Sequence, residues 1–134
     1  MTLVDTNVLV DILAGQPAWR AWSVDALDRR STVGGLFITD VVYAELAPLL
    51  PTSDLLDAGL GDLDVALRRI PEQALFQAGR IFEQYRRAGG PRLSILADFF
   101  IGAHARVEGV PILTRDTRRY RTYFPDVELF APEG

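Results

Sequence analysis

Four acidic residues sit where an acid is costly to place or where a ligand would meet it: Asp5, Glu45, Asp98 and Asp116. Asp5 directly follows the short apolar run Thr2 to Val4, and Asp116 comes two residues after a second run that ends near Thr114. If both runs are strands, these acids stand at carboxyl ends, where open α/β sheets bind ligands. Glu45 has Val42 three residues before it and Leu49 four after, and Asp98 has Ile95, Ile101 and Gly102 at helical spacing. Both therefore fall on the apolar stripe of a helix, with Gly102 leaving room beside Asp98. An ionised carboxylate on a core-facing stripe costs several kcal/mol unless something compensates it. Two carboxylates about 4 Å apart repel by roughly 4 kcal/mol at an effective dielectric near 20. A shared cleft would need a cation, and hard oxygen donors select Mg²⁺ or Mn²⁺.

Each acid also has a plainer reading. Asp5 fits a helix N-cap, Asp116 a turn residue in Thr-Arg-Asp-Thr, and Glu45 or Asp98 a partner for one arginine. Asp11, Asp25, Asp28, Asp54, Asp57, Asp62 and Asp64 read as solvated helix or turn positions, and Asp40 as an N-cap. His104 is the only histidine. Without a second one it makes a poor transition-metal site, and partly buried packing is the expected role.

Composition narrows the chemistry. The 134 residues suit one domain with a real core, and 49% hydrophobic with 24% charged residues is ordinary for a globular protein. No cysteine is present, which removes disulfides, thiolate ligands and a cysteine nucleophile. All 14 basic residues are arginine, so phosphate-loop nucleotide hydrolysis and Schiff-base chemistry, which need lysine, are excluded. The net charge of −4 does not announce a nucleic-acid binder, but arginines cluster at 86, 87 and 92 and at 115, 118, 119 and 121. Their forks suit phosphate oxygens, although solvated surface charge explains them equally well. Asp5 and Asp11 interrupt the apolar N-terminus, which argues against a signal peptide, and no apolar run is long enough to span a bilayer. A soluble, cytoplasmic protein without membrane contact is expected.

Apolar runs alternate with helical patterns, which predicts an α/β fold with a mainly parallel sheet in one domain over residues 1–134. Strands are expected at Thr2–Val4, Leu36–Ile38, Val65–Ile70 (with a helix running through it as the alternative), Val110–Thr114 and Val127–Phe130. Helices are expected after Thr6 or Asn7 as N-cap, from Pro17 to about Asp28, over Val41–Leu49 and Glu72–Arg87, and over Leu93–Glu108, ended by Gly109, with a short helix or turn over Ser53–Gly61. Ala88 to Pro91 reads as a loop.

The segments Val-Asp5-Thr-Asn-Val-Leu, Tyr-Ala-Glu45-Leu, Leu-Ala-Asp98-Phe-Phe-Ile-Gly-Ala-His-Ala and Leu-Thr114-Arg-Asp116, in this order, resemble the PIN domain, in particular the VapC toxins of VapBC toxin–antitoxin pairs. The resemblance covers nearly the whole chain; Phe99 and Phe100 are bulkier than the small residues common after that aspartate. It implies a five-stranded parallel sheet flanked by helices, and Mg²⁺ or Mn²⁺ held by the carboxylates. It further implies cleavage of single-stranded or looped RNA (often transfer or ribosomal RNA), homodimers, and a VapB-like antitoxin whose tail blocks the cleft.

The expected function is a metal-dependent endoribonuclease. Asp5, Asp98 and Asp116 would hold one or two cations, with Glu45 a further ligand or a water-orienting base. Thr114 would bond a metal-bound water or fix Asp116, Asn7 would orient Asp5, and Arg115 or Arg119 would contact flanking phosphates. Arg115 reads equally well as a surface turn residue, and Trp19, Trp22 and Phe99 as interface or core. A catalytically inactive PIN-like binding or scaffold module is the alternative, and the intact acids argue against it. DNA cleavage is chemically feasible, but the related flap endonucleases carry extra helical elements. A phosphatase of the haloacid dehalogenase type is excluded, because it wants an acid where Asn7 stands and a lysine that does not exist.

Overall fold

The computed structural model describes residues 1–90 and 96–133. Five parallel strands form one sheet: β1 (Thr2–Val4), β2 (Leu36–Thr39), β3 (Val65–Arg68), β4 (Ile112–Leu113) and β5 (Leu129–Phe130), in the order β3-β2-β1-β4-β5. Among the described residues, seven helices flank it: α1 (Thr6–Leu13), α2 (Arg20–Ser31), α3 (Asp40–Leu46), α4 (Ser53–Asp62), α5 (Glu72–Arg87), α6 (Leu96–Glu108) and α7 (Arg118–Tyr123). The α/β class and the parallel sheet are as expected. Parallel neighbours need crossovers, and the alternation of short strands with helices supplies them.

The chain steps from β1 outward through β2 to β3, then returns to the far side of β1 as β4 and β5. The direction of winding therefore reverses at β1, and such a reversal opens a crevice at the carboxyl ends of the two strands beside it. Register sets the contents of that crevice. Val4 pairs with Leu113, so the next residues, Asp5 and Thr114, emerge side by side, and the Asp5 N–H donates to the Leu113 carbonyl at 2.9 Å. The strands β1 and β2 are wholly buried, as expected for a sheet covered on both faces. Leu3, Leu9, Phe37, Ile38, Leu46, Phe99, Ile101, Ile112 and Phe124 form the centre of the core.

Several boundaries differ from those expected. Of the capping residues the sequence offers, Asp5 caps α1 in place of Thr6 or Asn7, its carboxylate accepting the Thr6 N–H, because a short carboxylate at the strand end reaches the free amides of the first turn first. Pro17 lies in a turn before α2, which runs on past Asp28 to Ser31 with Arg29 and Arg30 favourably placed in its last turn. Pro48 ends the α-helical part of the next helix, and residues Ala47–Leu49 form a 3₁₀ turn. β3, β4 and β5 are shorter than their apolar runs. Helix α7 has no counterpart among the expected elements, although Tyr120, Tyr123 and Phe124 carry its i, i+3, i+4 signal. Gly109 does end α6, at φ +66°, the left-handed conformation that a C-terminal cap requires. The expected start of that helix at Leu93, together with Pro91, Arg92 and Ile95, lies outside the described residues. Among the described residues, no helix is long and apolar enough to cross a membrane.

Candidate active site

The crevice at the ends of β1 and β4 is a cleft of about 330 Å³ lined by Asp5, Glu45, Asp98, Asp116, Arg115 and Arg119. Five elements deliver these six residues: the β1–α1 junction, α3, α6, the β4–α7 loop and α7. Thr6, Asn7 and Val10 of α1 complete the wall.

Asp5 is the most tightly held acid. Its Oδ1 accepts the Thr6 N–H at 2.7 Å, and its Oδ2 accepts the hydroxyls of Thr114 at 2.7 Å and Tyr120 at 2.9 Å. Burial pushes the Asp5 carboxyl above its ordinary range; the Thr114, Tyr120 and Thr6 hydrogen bonds act against this, and Glu45 adds to it. Asp98 opens α6 with its side chain 31% exposed, and the Arg119 Nη1 stands 3.6 Å from its Oδ2. Burial, and after it the charge of Asp5, raise Asp98 to about 7; Arg119 opposes the rise, while Glu45 and Asp116 contribute to it. The cleft thus sets four carboxylates beside two arginines, and Asp98 responds first to its burial and then to the charges of its neighbours.

Glu45 accepts the Thr6 hydroxyl on Oε1 at 2.6 Å. It is exposed, contrary to the expectation of an apolar stripe. Val42 and Leu46 carry the buried face of α3, and Glu45 sits beside that face, open to the cleft. Asp116 is half exposed and accepts the Arg118 N–H at 3.3 Å, a turn-type contact. The Thr114 hydroxyl has one proton, which goes to Asp5, and its oxygen accepts from Asp116 N–H at 3.1 Å and Asn7 Nδ2 at 3.2 Å. It therefore ties the two strand-end acids together. Asn7 stands 3.5 Å from Asp5 Oδ2, and its shorter contacts are with Thr114 and the backbone N–H of Arg115, at 3.0 Å to Oδ1.

The donors are all carboxylate oxygens from separate elements, a set that suits a hard divalent cation. Among the described residues, no three acids or histidines already form a group that could hold one ion. Two of these acids already have partners, Glu45 in the Thr6 hydroxyl and Asp98 in the Arg119 guanidinium.

Two expectations about neighbouring residues are corrected. Gly102 leaves no open space, because a Cβ there would lie 2.3 Å from the Phe124 ring; the glycine admits that ring, not a ligand. Asp11, read as solvated, is fully buried and bonded to Arg115 and Ser23. Its signal was its place four residues after Asn7, one turn along the same face. Tyr120 and Thr6 were also missed as partners of the acids. His104 is fully buried, against Phe37 and 3.3 Å from Glu108, and its burial lowers its pKa. Phe99 belongs to the core, while Trp19 is partly exposed and Trp22 is packed against the core. Arg86 and Arg87 pair with Glu83 at the end of α5.

No curated protein sequence matches the chain. Solved structures do. A chain of VapBC2 from Rickettsia felis, determined bound to a DNA fragment from their promoter, aligns with a TM-score of 0.74 and 16% identity over 98% of both chains. A chain of VapBC-1 from nontypeable Haemophilus influenzae gives 0.71 and 18% over 97% of this chain and 96% of that one. A chain of FitAcB from Neisseria gonorrhoeae gives 0.63 and 25%, with the same coverages. At such identities the likeness establishes the fold. The family model of the PIN domain matches residues 2–125, and with a match over nearly its whole length this chain belongs to the PIN domain family.

Proposed function

We propose that the protein is a metal-dependent endoribonuclease, the toxin of a toxin–antitoxin pair, which hydrolyses RNA phosphodiester bonds. The observation that carries this reading is the convergence of Asp5, Glu45, Asp98 and Asp116, from four separate elements, on one cleft at the point where the winding of the sheet reverses. Asp5, Asp98 and Asp116 would hold Mg²⁺ or Mn²⁺, with Glu45 as a fourth ligand or the base that orients water. A bound divalent cation supplies hydroxide near neutral pH and offsets charge on the phosphoryl oxygens.

The residues of the chain do the rest. Thr114 and Tyr120 hold Asp5 as an oriented acceptor, and Thr6 turns Glu45 toward the same cleft. Arg119 lines the wall where phosphates flanking the scissile bond would lie, whereas Arg115, expected to share that role, lines the cleft with its guanidinium already bonded to Asp11. The relatives named for VapBC complexes support a VapB-like antitoxin as partner; transfer or ribosomal RNA as substrate and a homodimer are proposed from the resemblance of the sequence to VapC toxins, and a cytoplasmic site of action is proposed with them.

The test compares Asp98→Asn with the parent on single-stranded and structured RNA in Mg²⁺ and in Mn²⁺. Loss of cleavage by at least 100-fold, with the variant folded, is the expected outcome. A parent that leaves RNA intact, or a variant that cuts at the parental rate, overturns the nuclease reading and favours a binding module.

A further inference from the structure

One face of α1 grips a single residue at both ends. Asn7 and Asp11 are four residues apart, one turn along that face. Asn7 Oδ1 accepts the backbone N–H of Arg115 at 3.0 Å. Asp11 takes the guanidinium of the same residue with both oxygens, Nε to Oδ2 at 2.6 Å and Nη2 to Oδ1 at 3.0 Å. Ser23 of α2 donates a further hydrogen bond to Asp11 Oδ2 at 2.7 Å. The Arg115 guanidinium also lies over the Trp19 ring, 5.0 Å from its centroid. Arg115 immediately precedes Asp116, and it lines the cleft itself.

A carboxylate with 0% exposure is an unusual thing to keep on a helix that offers Val8, Leu9 and Ile12 to the core. A buried ion pair is weak as a source of stability, since an apolar pair of similar volume often does as well or better. Its strength is geometric. Two parallel N–H···O bonds fix the direction of the guanidinium as well as its distance. Here the fixed object is the loop after β4, a segment with only a 2-residue strand before it and a 6-residue helix after it. The far end of α1 is capped by Asp5, so the same helix that aims the first acid also holds the backbone that aims the last.

We propose that Asp11 is a positioning residue: by clamping Arg115 to α1 it holds the β4–α7 loop so that Asp116 faces Asp5 across the cleft. Pairing with Asp11 also neutralises the Arg115 guanidinium in place, so its charge does not compete with a cation for the carboxylates. The effect on metal binding rests on the function proposed above; the clamp does not.

The decisive protein is the double variant Asp11→Asn/Arg115→Gln, which replaces the ion pair by neutral groups of similar shape. Arg115→Lys is made beside it, because it keeps the compensating charge, and with it the fold, while giving up the two-pronged contact. Amide hydrogen exchange is followed in the metal-free proteins over residues 114–119, and Mn²⁺ binding is measured by titration calorimetry. The expected result, in whichever variants fold, is exchange at least tenfold faster in that segment with α1 unchanged, and Mn²⁺ bound at least tenfold more weakly. Parental exchange in the loop of a folded variant overturns the proposal. So does faster exchange with parental Mn²⁺ affinity, which would make Asp11 a staple without consequence for the site. A parent that binds no Mn²⁺ sinks the metal reading instead, and the exchange comparison still decides the clamp.

Discussion

Replacing Asp98 by asparagine should stabilise the metal-free protein at high pH and do nothing at low pH. Burial and the charges of Asp5, Glu45 and Asp116 raise the Asp98 carboxyl from an ordinary 3.8 to about 7, against the pull of Arg119. Between those values the native state keeps a proton that the unfolded chain has released. Stability therefore falls as pH rises: the contribution of this group is intact below about pH 4 and lost once pH passes about 7. The span corresponds to an upper limit of about 4 kcal/mol. With the side chain 31% exposed, solvent screening reduces this to about 2 kcal/mol. For a domain of this size that is about 6–10 °C in unfolding temperature. Thermal unfolding followed by circular dichroism in EDTA, at half-unit steps from pH 4 to pH 8, measures it. The difference between variant and parent is the quantity of interest, because titrations common to both cancel. It should be near zero at pH 4 and reach about 2 kcal/mol in favour of the variant at pH 8. Millimolar Mn²⁺ at pH 8 should then reverse the order, by stabilising the parent alone. A difference that is flat with pH, or a variant weaker at pH 8 without metal, would show that Asp98 serves Arg119 and the fold, and the argument from crowded charge would be wrong.

Other perturbations test separate parts of the site and its frame. Tyr120→Phe removes a hydroxyl from a buried carboxylate and should cost about 1–3 kcal/mol in urea unfolding at pH 8. It should also raise Asp5 further, so the loss shrinks as pH falls and Asp5 becomes protonated; a cost independent of pH would separate Tyr120 from Asp5. Two glycines in helices should respond with opposite sign. Gly102→Ala drives a methyl to 2.3 Å from the Phe124 ring and should cost about 1–3 kcal/mol, whereas Gly79→Ala on α5 meets nothing within 4 Å and should gain about 0.5–1 kcal/mol. Equal melting temperatures for the two variants would contradict the account of Gly102 as the seat of that ring.

Local pattern carried the fold class and the candidate acids. Asp5 and Asp116 were legible because each follows an apolar run, and strand ends are where α/β sheets put ligands. Helix spacing drew attention to Glu45 and Asp98, and the cleft does contain both, although Glu45 turned out to be exposed. Periodicity tells which residues share a face of one helix, not what covers that face. For that reason Asp11 looked like any surface acid until α2 and the β4–α7 loop closed over it. Gly102 looked like an opening for the same reason, until Phe124 filled it. Tyr120 lies 115 residues from Asp5, and their hydrogen bond exists only because β4 pairs beside β1 and α7 folds back over the strand ends. Sequence by itself determined the alternation of strands and helices and the supply of carboxylates, because these follow from side-chain chemistry and from repeats a few residues long. Strand order and register decided which carboxylates share a cleft, which one is buried and bonded to arginine, and which is pushed toward neutrality, because charge interactions depend on distance in space and on the water that folding removes.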